Sequence, residues 1–124
     1  MVVVKKPSGL AMPFLCQGWS DGEPVNLGPT VNTASDEGWP FVSVDRRELW
    51  FNGQSTRGQP GPAVFHSLRQ LDGSWGAAEE IISTFAGEPT LSGDGKSLYF
   101  VHHYYSEDLR QMLEADIYVS YRMP

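Results

Sequence analysis

Residues 37–51 read EGWPFVSVDRRELWF, and residues 87–100 read GEPTLSGDGKSLYF. When the second segment is shifted by 49 positions, identical residues coincide at Pro40 and Pro89, Ser43 and Ser92, Asp45 and Asp94, Leu49 and Leu98, and Phe51 and Phe100. A second match, VFHSLR at 64–69 with IYVSYR at 117–122, follows at a shift of 53. The chain therefore contains two copies of one structural unit about fifty residues long, which is a period typical of β-propeller blades.

The chemistry of each unit predicts antiparallel strands. Asp94-Gly95 between two apolar runs is a hairpin signal, whereas Asp45-Arg46 lacks the glycine and predicts another turn type or a more strained turn. The runs LWF and LYFV are apolar at consecutive positions, so both faces of these strands need to be covered. Stacked blades satisfy that need. We therefore expect an all-β chain of antiparallel four-stranded β-propeller blades, two per chain.

The repeat also gives the expected boundaries. We expect an N-terminal tail at 1–17 and a repeat region at 18–124, with the first blade at about 29–83 and the second at about 84–124. A Trp-led strand at 19–27 is expected to supply the fourth strand of the second blade. Propellers close with four to eight blades, so two blades leave apolar faces bare. Completion by homo-oligomerisation is predicted, with a trimer of six blades favoured.

One loop departs from the strand pattern. In YYSEDLRQMLEAD, Ser106 is a candidate cap for a short helix from Glu107 to Glu114. Leu109, Met112 and Leu113 would share one face of that helix and pack on the blade or face a partner.

At these residues the chain resembles the TolB-type, WD-like β-propeller repeats of bacteria. The family pattern resembles W-G-x-P-x-N-L-G, then D-E-x-x-P-x-x-S-x-D-G-x-x-L-Y-F, then D-I-Y-V-S-x-R, and this chain matches it over roughly residues 18–122. Arg46 departs from it at the turn glycine. The resemblance implies a propeller fold, a tendency to bind proteins or cell-envelope components, a periplasmic or envelope location, and no conserved reaction. The Lys5–Cys16 region gives no convincing signal peptide.

Composition and charge exclude several function classes. The formal net charge of −6 argues against nucleic acid, which requires a basic surface. No stretch is long and apolar enough to predict a membrane span, and the single cysteine, Cys16, excludes an intrachain disulfide.

The sequence predicts no catalytic, metal or cofactor site. His102 and His103 are adjacent in a predicted strand, so their side chains point to opposite faces. Ser43 and Ser92 are expected to hydrogen-bond the local backbone rather than act as nucleophiles. The acidic pairs Asp36-Glu37 and Glu79-Glu80, which could in principle serve a glycosidase, are expected to be turn caps or solvated edges.

Three aromatic residues are the candidate ligand contacts. Trp39 aligns with Glu88 in the second repeat, so the repeat itself does not require an aromatic residue at this position. Tyr104 and Tyr105 are expected beside it, in a loop. The leading hypothesis is a non-enzymatic module for protein or envelope binding and scaffolding. The alternatives are a glycan-directed protein, either lectin or hydrolase-like, and a truncated or cassette-type product of unknown function.

Overall fold

The computed structural model describes residues 24–124, and these residues form two antiparallel sheets. The first sheet has the order β1-β2-β3-β4 and the second has the order β5-β6-β7. The strands are β1 (Gly38–Val42), β2 (Glu48–Gln54), β3 (Pro62–Leu68), β4 (Glu79–Ile82), β5 (Ala86–Leu91), β6 (Ser97–Ser106) and β7 (Gln111–Tyr121). The described residues contain no helix, which confirms the all-β class.

Strand register reproduces the sequence repeat. Leu49 pairs with Ser67 across β2 and β3, and Leu98 pairs with Ser120 across β6 and β7. These two pairs are related by the shifts of 49 and 53 residues that the alignment predicts. A β-bulge interrupts the pairing of the first two strands in each sheet. It lies between Gly38 and Phe41 in the first sheet and between Gly87 and Thr90, the repeat-related positions, in the second. The two units therefore share their local geometry as well as their sequence.

The turns after β1 and β5 have the same structure. Ser43 Oγ donates to Asp45 Oδ1 at 2.6 Å and accepts from the Glu48 amide at 3.0 Å. Ser92 makes the corresponding bonds with Asp94 and with the Ser97 amide, as the sequence predicts for both serines.

Arg46 adopts the left-handed backbone of its glycine counterpart. Its φ is 63°, and that of Gly95 is 71°. The first turn is therefore of the same type as the second, and of the two predicted possibilities the strained turn is the one found. A side chain with a Cβ is disfavoured in this region of φ/ψ space.

Two apolar clusters hold the sheets. One cluster lies on the β2–β3 face that points away from the second sheet, where Val31 packs over Leu49, Phe51, Ala63 and Phe65. The other lies between the sheets and contains Trp50, Val64, Ala86, Leu91 and Leu98. All three residues of the LWF run are buried, so that strand is covered on both faces as its pattern predicts.

The predicted helix from Glu107 to Glu114 is wrong. These residues form the end of a long hairpin, with β6 running to Ser106 and β7 starting at Gln111. Ser106 Oγ accepts from the Leu109 amide at 3.2 Å, but this bond closes a turn instead of capping a helix. The apolar stripe of Leu109, Met112 and Leu113 is exposed, so no packing surface favours helix over continued strand pairing.

The second sheet contains three strands from residues 84–124, and the fourth was expected from residues 19–27. Residues 24–27 lie outside the described strands, and Val25 and Leu27 are exposed. Trp19, Cys16 and the predicted tail at 1–17 lie outside the described residues.

Candidate functional site

A cleft of about 250 Å³ lies between the two sheets. The first sheet contributes Glu48, Trp50 and His66 to its lining. The second sheet contributes the β5–β6 turn and the end of β7, including Lys96 and Arg122. The cleft forms where the β5–β6 turn and the last residues of β7 lie beside the first residues of β2. We call it the inter-sheet cleft.

A charged cluster forms one end of the inter-sheet cleft. The buried carboxylate of Glu48 accepts from Nη2 of Arg122 at 2.8 Å, and its Oε1 lies 3.0 Å from His66 Nε2. The His66 ring in turn lies against Trp50, with ring centroids 4.4 Å apart. A buried carboxylate needs such partners because burial without them is costly. The Glu48–Arg122 pair therefore joins the first sheet to the end of the second.

The indole N–H of Trp50 has no hydrogen-bond partner among the described residues. Trp50 is buried and forms part of the cleft wall. Buried polar groups are nearly always paired, so an enclosed donor without a partner is uncommon.

The second sheet presents an open face, which carries Tyr99, Val101, Ile117, Val119 and Tyr121. In the first sheet the repeat-related positions of Tyr99 and Ile117 are held by Trp50 and Val64, which are 5% and 0% exposed because the second sheet packs over them. Tyr99 is 46% exposed and Ile117 is 77% exposed. Equivalent positions in the repeat thus differ in burial, because residues 24–124 cover only one of the two faces.

The three predicted ligand contacts lie on two different sheets. Trp39 is exposed on β1 at a φ of 51°, in the first sheet. Tyr104 and Tyr105 lie on β6 and contact different neighbours, since Tyr105 stacks on Phe85 while the Tyr104 hydroxyl hydrogen-bonds to that of Tyr118. The bond with Tyr118 raises the pKa of Tyr104 to about 12. Their predicted role in ligand contact stays a prediction.

The histidines and acidic pairs sit as separate groups. His102 packs edge-on against Tyr104, whereas His103 Nε2 lies 4.0 Å from Glu88. Residues 24–124 contain no group of three or more histidine, cysteine, aspartate or glutamate side chains placed to hold a metal ion. In the Glu79-Glu80 pair, Glu79 is exposed and Glu80 is buried.

Glu80 ties the segment after β2 to the end of β4. Its carboxylate accepts hydrogen bonds from Ser55, Thr56 and Ser83 at 2.6–3.0 Å. Burial alone would raise its pKa, but these bonds outweigh burial and lower the pKa of Glu80 to about 2. Glu80 therefore caps the loop after β2 and is not the solvated edge that was the other expectation for this pair, because its side chain is buried.

Sequence reasoning missed the Glu48–His66–Arg122 cluster. Arg122 was recognised only as the repeat counterpart of Arg69, which instead lies over the Trp75 ring. Glu48 and His66 differ from their repeat counterparts, Ser97 and Val119. Ionisable residues found in only one of the two repeats, Glu48 and His66, were the signal that could have identified the cluster.

No protein-family model, curated protein or solved structure matches this chain. Within residues 24–124 there is no helix of the length and apolar character needed to cross a membrane.

Proposed function

We propose that this chain is a non-enzymatic β-propeller repeat module for protein or envelope binding and scaffolding, and that another copy of the chain completes its second sheet. The observation that supports this proposal is the contrast between the covered face at Trp50 and Val64 and the open face at Tyr99 and Ile117. In a propeller each blade packs on a neighbour at both faces, so the open face is where the next blade would lie.

The free edge of β7 supports the same proposal. In the first sheet β4 pairs with β3, and Val64 lies opposite Ile82. The repeat-related residue on β7 is Ile117, and no described strand pairs with that edge. An exposed edge of eleven residues is a template for pairing with another chain. A strand supplied by a second copy would complete the fourth position.

The composition of the open face suits a second copy. Its five defining side chains carry no formal charge, so another sheet can pack on them without burying an unpaired charge. Strand spacing and rise give a face of roughly 300 Å², well below the ~800 Å² per partner of a stable interface. Packing of the faces alone is therefore too small, and pairing along β7 is needed as well.

A closed ring makes a further demand on the molecule. The face of the first sheet that would receive a neighbour is already packed against Val31. A trimeric ring, favoured from the blade count, therefore requires the segment around Val31 to move or to form part of the contact.

Size-exclusion chromatography with light scattering tests the proposal. We expect the wild-type chain to elute at a multiple of 13.8 kDa and Ile117→Lys to elute as a monomer, because a lysine there would be desolvated without a partner. Leu71→Lys is the matched control, since Leu71 is an exposed leucine in a turn away from the open face. It should assemble like the wild type.

A wild-type chain that remains monomeric at all accessible concentrations would refute completion by a second copy.

Exposed Trp39 is the observation that favours the glycan-directed alternative. Sugar binding that is lost in Trp39→Ala would support that alternative over the proposed module.

A further inference from the structure

We propose that the inter-sheet cleft is a binding site for a small carboxylate with an apolar body. This site is formed by the two sheets of one chain, so it does not depend on completion of the second sheet. Two features of the cleft lead to this ligand class: its walls and its charge.

The walls of the cleft are largely apolar. Trp50, Leu91 and Leu98 belong both to the core between the sheets and to the cleft lining, and Ile81 adds a further aliphatic surface. The volume of about 250 Å³ lies just below the usual range for drug-sized ligands. A ligand with one ring or one branched aliphatic group fits these dimensions, and a chain of sugars does not.

The charges that line the cleft favour an anion. Lys96 and Arg122 contribute two cations, and Glu48 contributes one carboxylate. That carboxylate already bonds to Arg122 and His66, so it is largely compensated. Asp94 lies at the turn beside Lys96 but outside the lining, and its Oδ1 accepts from Ser92 Oγ and the Lys96 amide. A cationic ligand would meet two like charges, whereas a carboxylate would meet charged donors.

The ring of Trp50 supplies wall surface, but its indole N–H does not open into the cleft. That N–H is enclosed by protein and has no partner among residues 24–124. The apolar body of the ligand packs against the Trp50 ring, and the two oxygens of its carboxylate can accept from Lys96 and Arg122.

Titration with benzoate, followed by nuclear magnetic resonance, tests this proposal. The Trp50 indole N–H signal is assigned from its loss in Trp50→Phe. We expect benzoate to shift this signal with a saturable, millimolar dissociation constant, because the ring of the ligand packs against the Trp50 ring in the cleft wall. Benzamide, which has the same ring and no charge, should bind at least about tenfold more weakly.

Two variants and their repeat counterparts complete the test. Lys96→Gln and Arg122→Gln should each weaken benzoate binding about tenfold, through loss of a charged donor. Arg47→Gln and Arg69→Gln are the matched controls, because they hold the same repeat positions outside the cleft, and they should bind as the wild type does. Lys96→Gln leaves the Glu48–Arg122 bond in place, so it remains informative if Arg122→Gln disturbs folding.

An unchanged Trp50 signal at saturating benzoate would overturn the proposal. Equal binding of benzamide, or benzoate binding that is insensitive to Lys96→Gln in a folded protein, would also overturn it, because charge recognition would then be absent.

Discussion

Among single residues, Glu80 offers a test of how a buried carboxylate stabilises the first sheet. Hydrogen bonds from Ser55, Thr56 and Ser83 hold it in the charged form. Its pKa is about 2 in the folded chain, below its ordinary value of 4.5. A carboxyl whose pKa is depressed by folding stabilises the protein above its unfolded pKa and loses that contribution as the pH falls.

We expect Glu80→Gln to lower the free energy of unfolding by about 2 kcal/mol at neutral pH, because charge-assisted hydrogen bonds are lost. The gap to the wild type should narrow as the pH falls from about 4.5 towards 2, where Glu80 itself becomes protonated. Urea denaturation at several pH values measures this gap. Glu79→Gln, at the exposed neighbouring position, should show little change. A gap for Glu80→Gln that is constant over this range would contradict the account.

Residue roles were predictable from the sequence where the repeat supplied two examples. Ser43 and Ser92 precede an aspartate by two positions in both units, and both make the expected bonds. The Glu48–Arg122 bond was not predictable in this way, because its partners are 74 positions apart and Glu48 aligns with Ser97 in the second unit, not with another acidic residue. Only the packing of one sheet on the other brings them together.

At the scale of single elements, the paired turns provide an internal comparison. Arg46 and Gly95 have nearly the same left-handed φ, and each amide donates to the serine carbonyl three positions earlier. We expect Arg46→Gly to raise the free energy of unfolding by about 0.5–1 kcal/mol, since the strain of a Cβ in this conformation exceeds the added freedom of the unfolded chain.

Gly95→Ala is the converse experiment and should lower the free energy of unfolding by a similar amount. The added Cβ meets only Leu91 Cδ2 at 3.9 Å, so the effect comes from the backbone and not from a clash. Chemical denaturation followed by fluorescence measures both variants. If Arg46→Gly proved destabilising, the turn would not be strained as described.

The strands were more predictable than the segment between β6 and β7. Consecutive apolar residues and Asp turns identify strands because they specify both pairing and burial. The run from Glu107 to Glu114 has a helical apolar spacing. Its apolar residues Leu109, Met112 and Leu113 are exposed, so burial against the described core does not stabilise a helix there. Pairing of β6 with β7 instead supplies hydrogen bonds to the backbone N–H and C=O groups, and Arg110 takes the left-handed conformation in the turn.

At the scale of the whole molecule, the two units differ in how their consecutive apolar residues are covered. In the first unit both faces of the strand are covered, and in the second unit the described residues cover one face. Leu49, Trp50 and Phe51 are all buried. In the second unit Leu98 is buried, but Tyr99 points to the open face and is exposed. The sequence predicts that this face needs cover, but it does not identify what would cover it, because no residue of 24–124 packs over Tyr99 on that side.

The directions of the backbone amides along β7 show which of them would report pairing of its free edge with another strand. The Arg122 amide donates to the Lys96 carbonyl, across to the β6 side. Amides alternate in direction along a strand in an antiparallel pair, so those of Ile117 and Val119 point to the free edge of β7.

Amide hydrogen exchange of Ile117 and Val119, in concentrated wild-type protein, tests completion of the second sheet most directly. Their repeat counterparts, Val64 and His66, lie beside β4 and serve as the internal reference. A strand from another copy predicts protection of Ile117 and Val119 comparable to that of Val64 and His66. Exchange as fast as in an unfolded chain, with Val64 and His66 still protected, would contradict it.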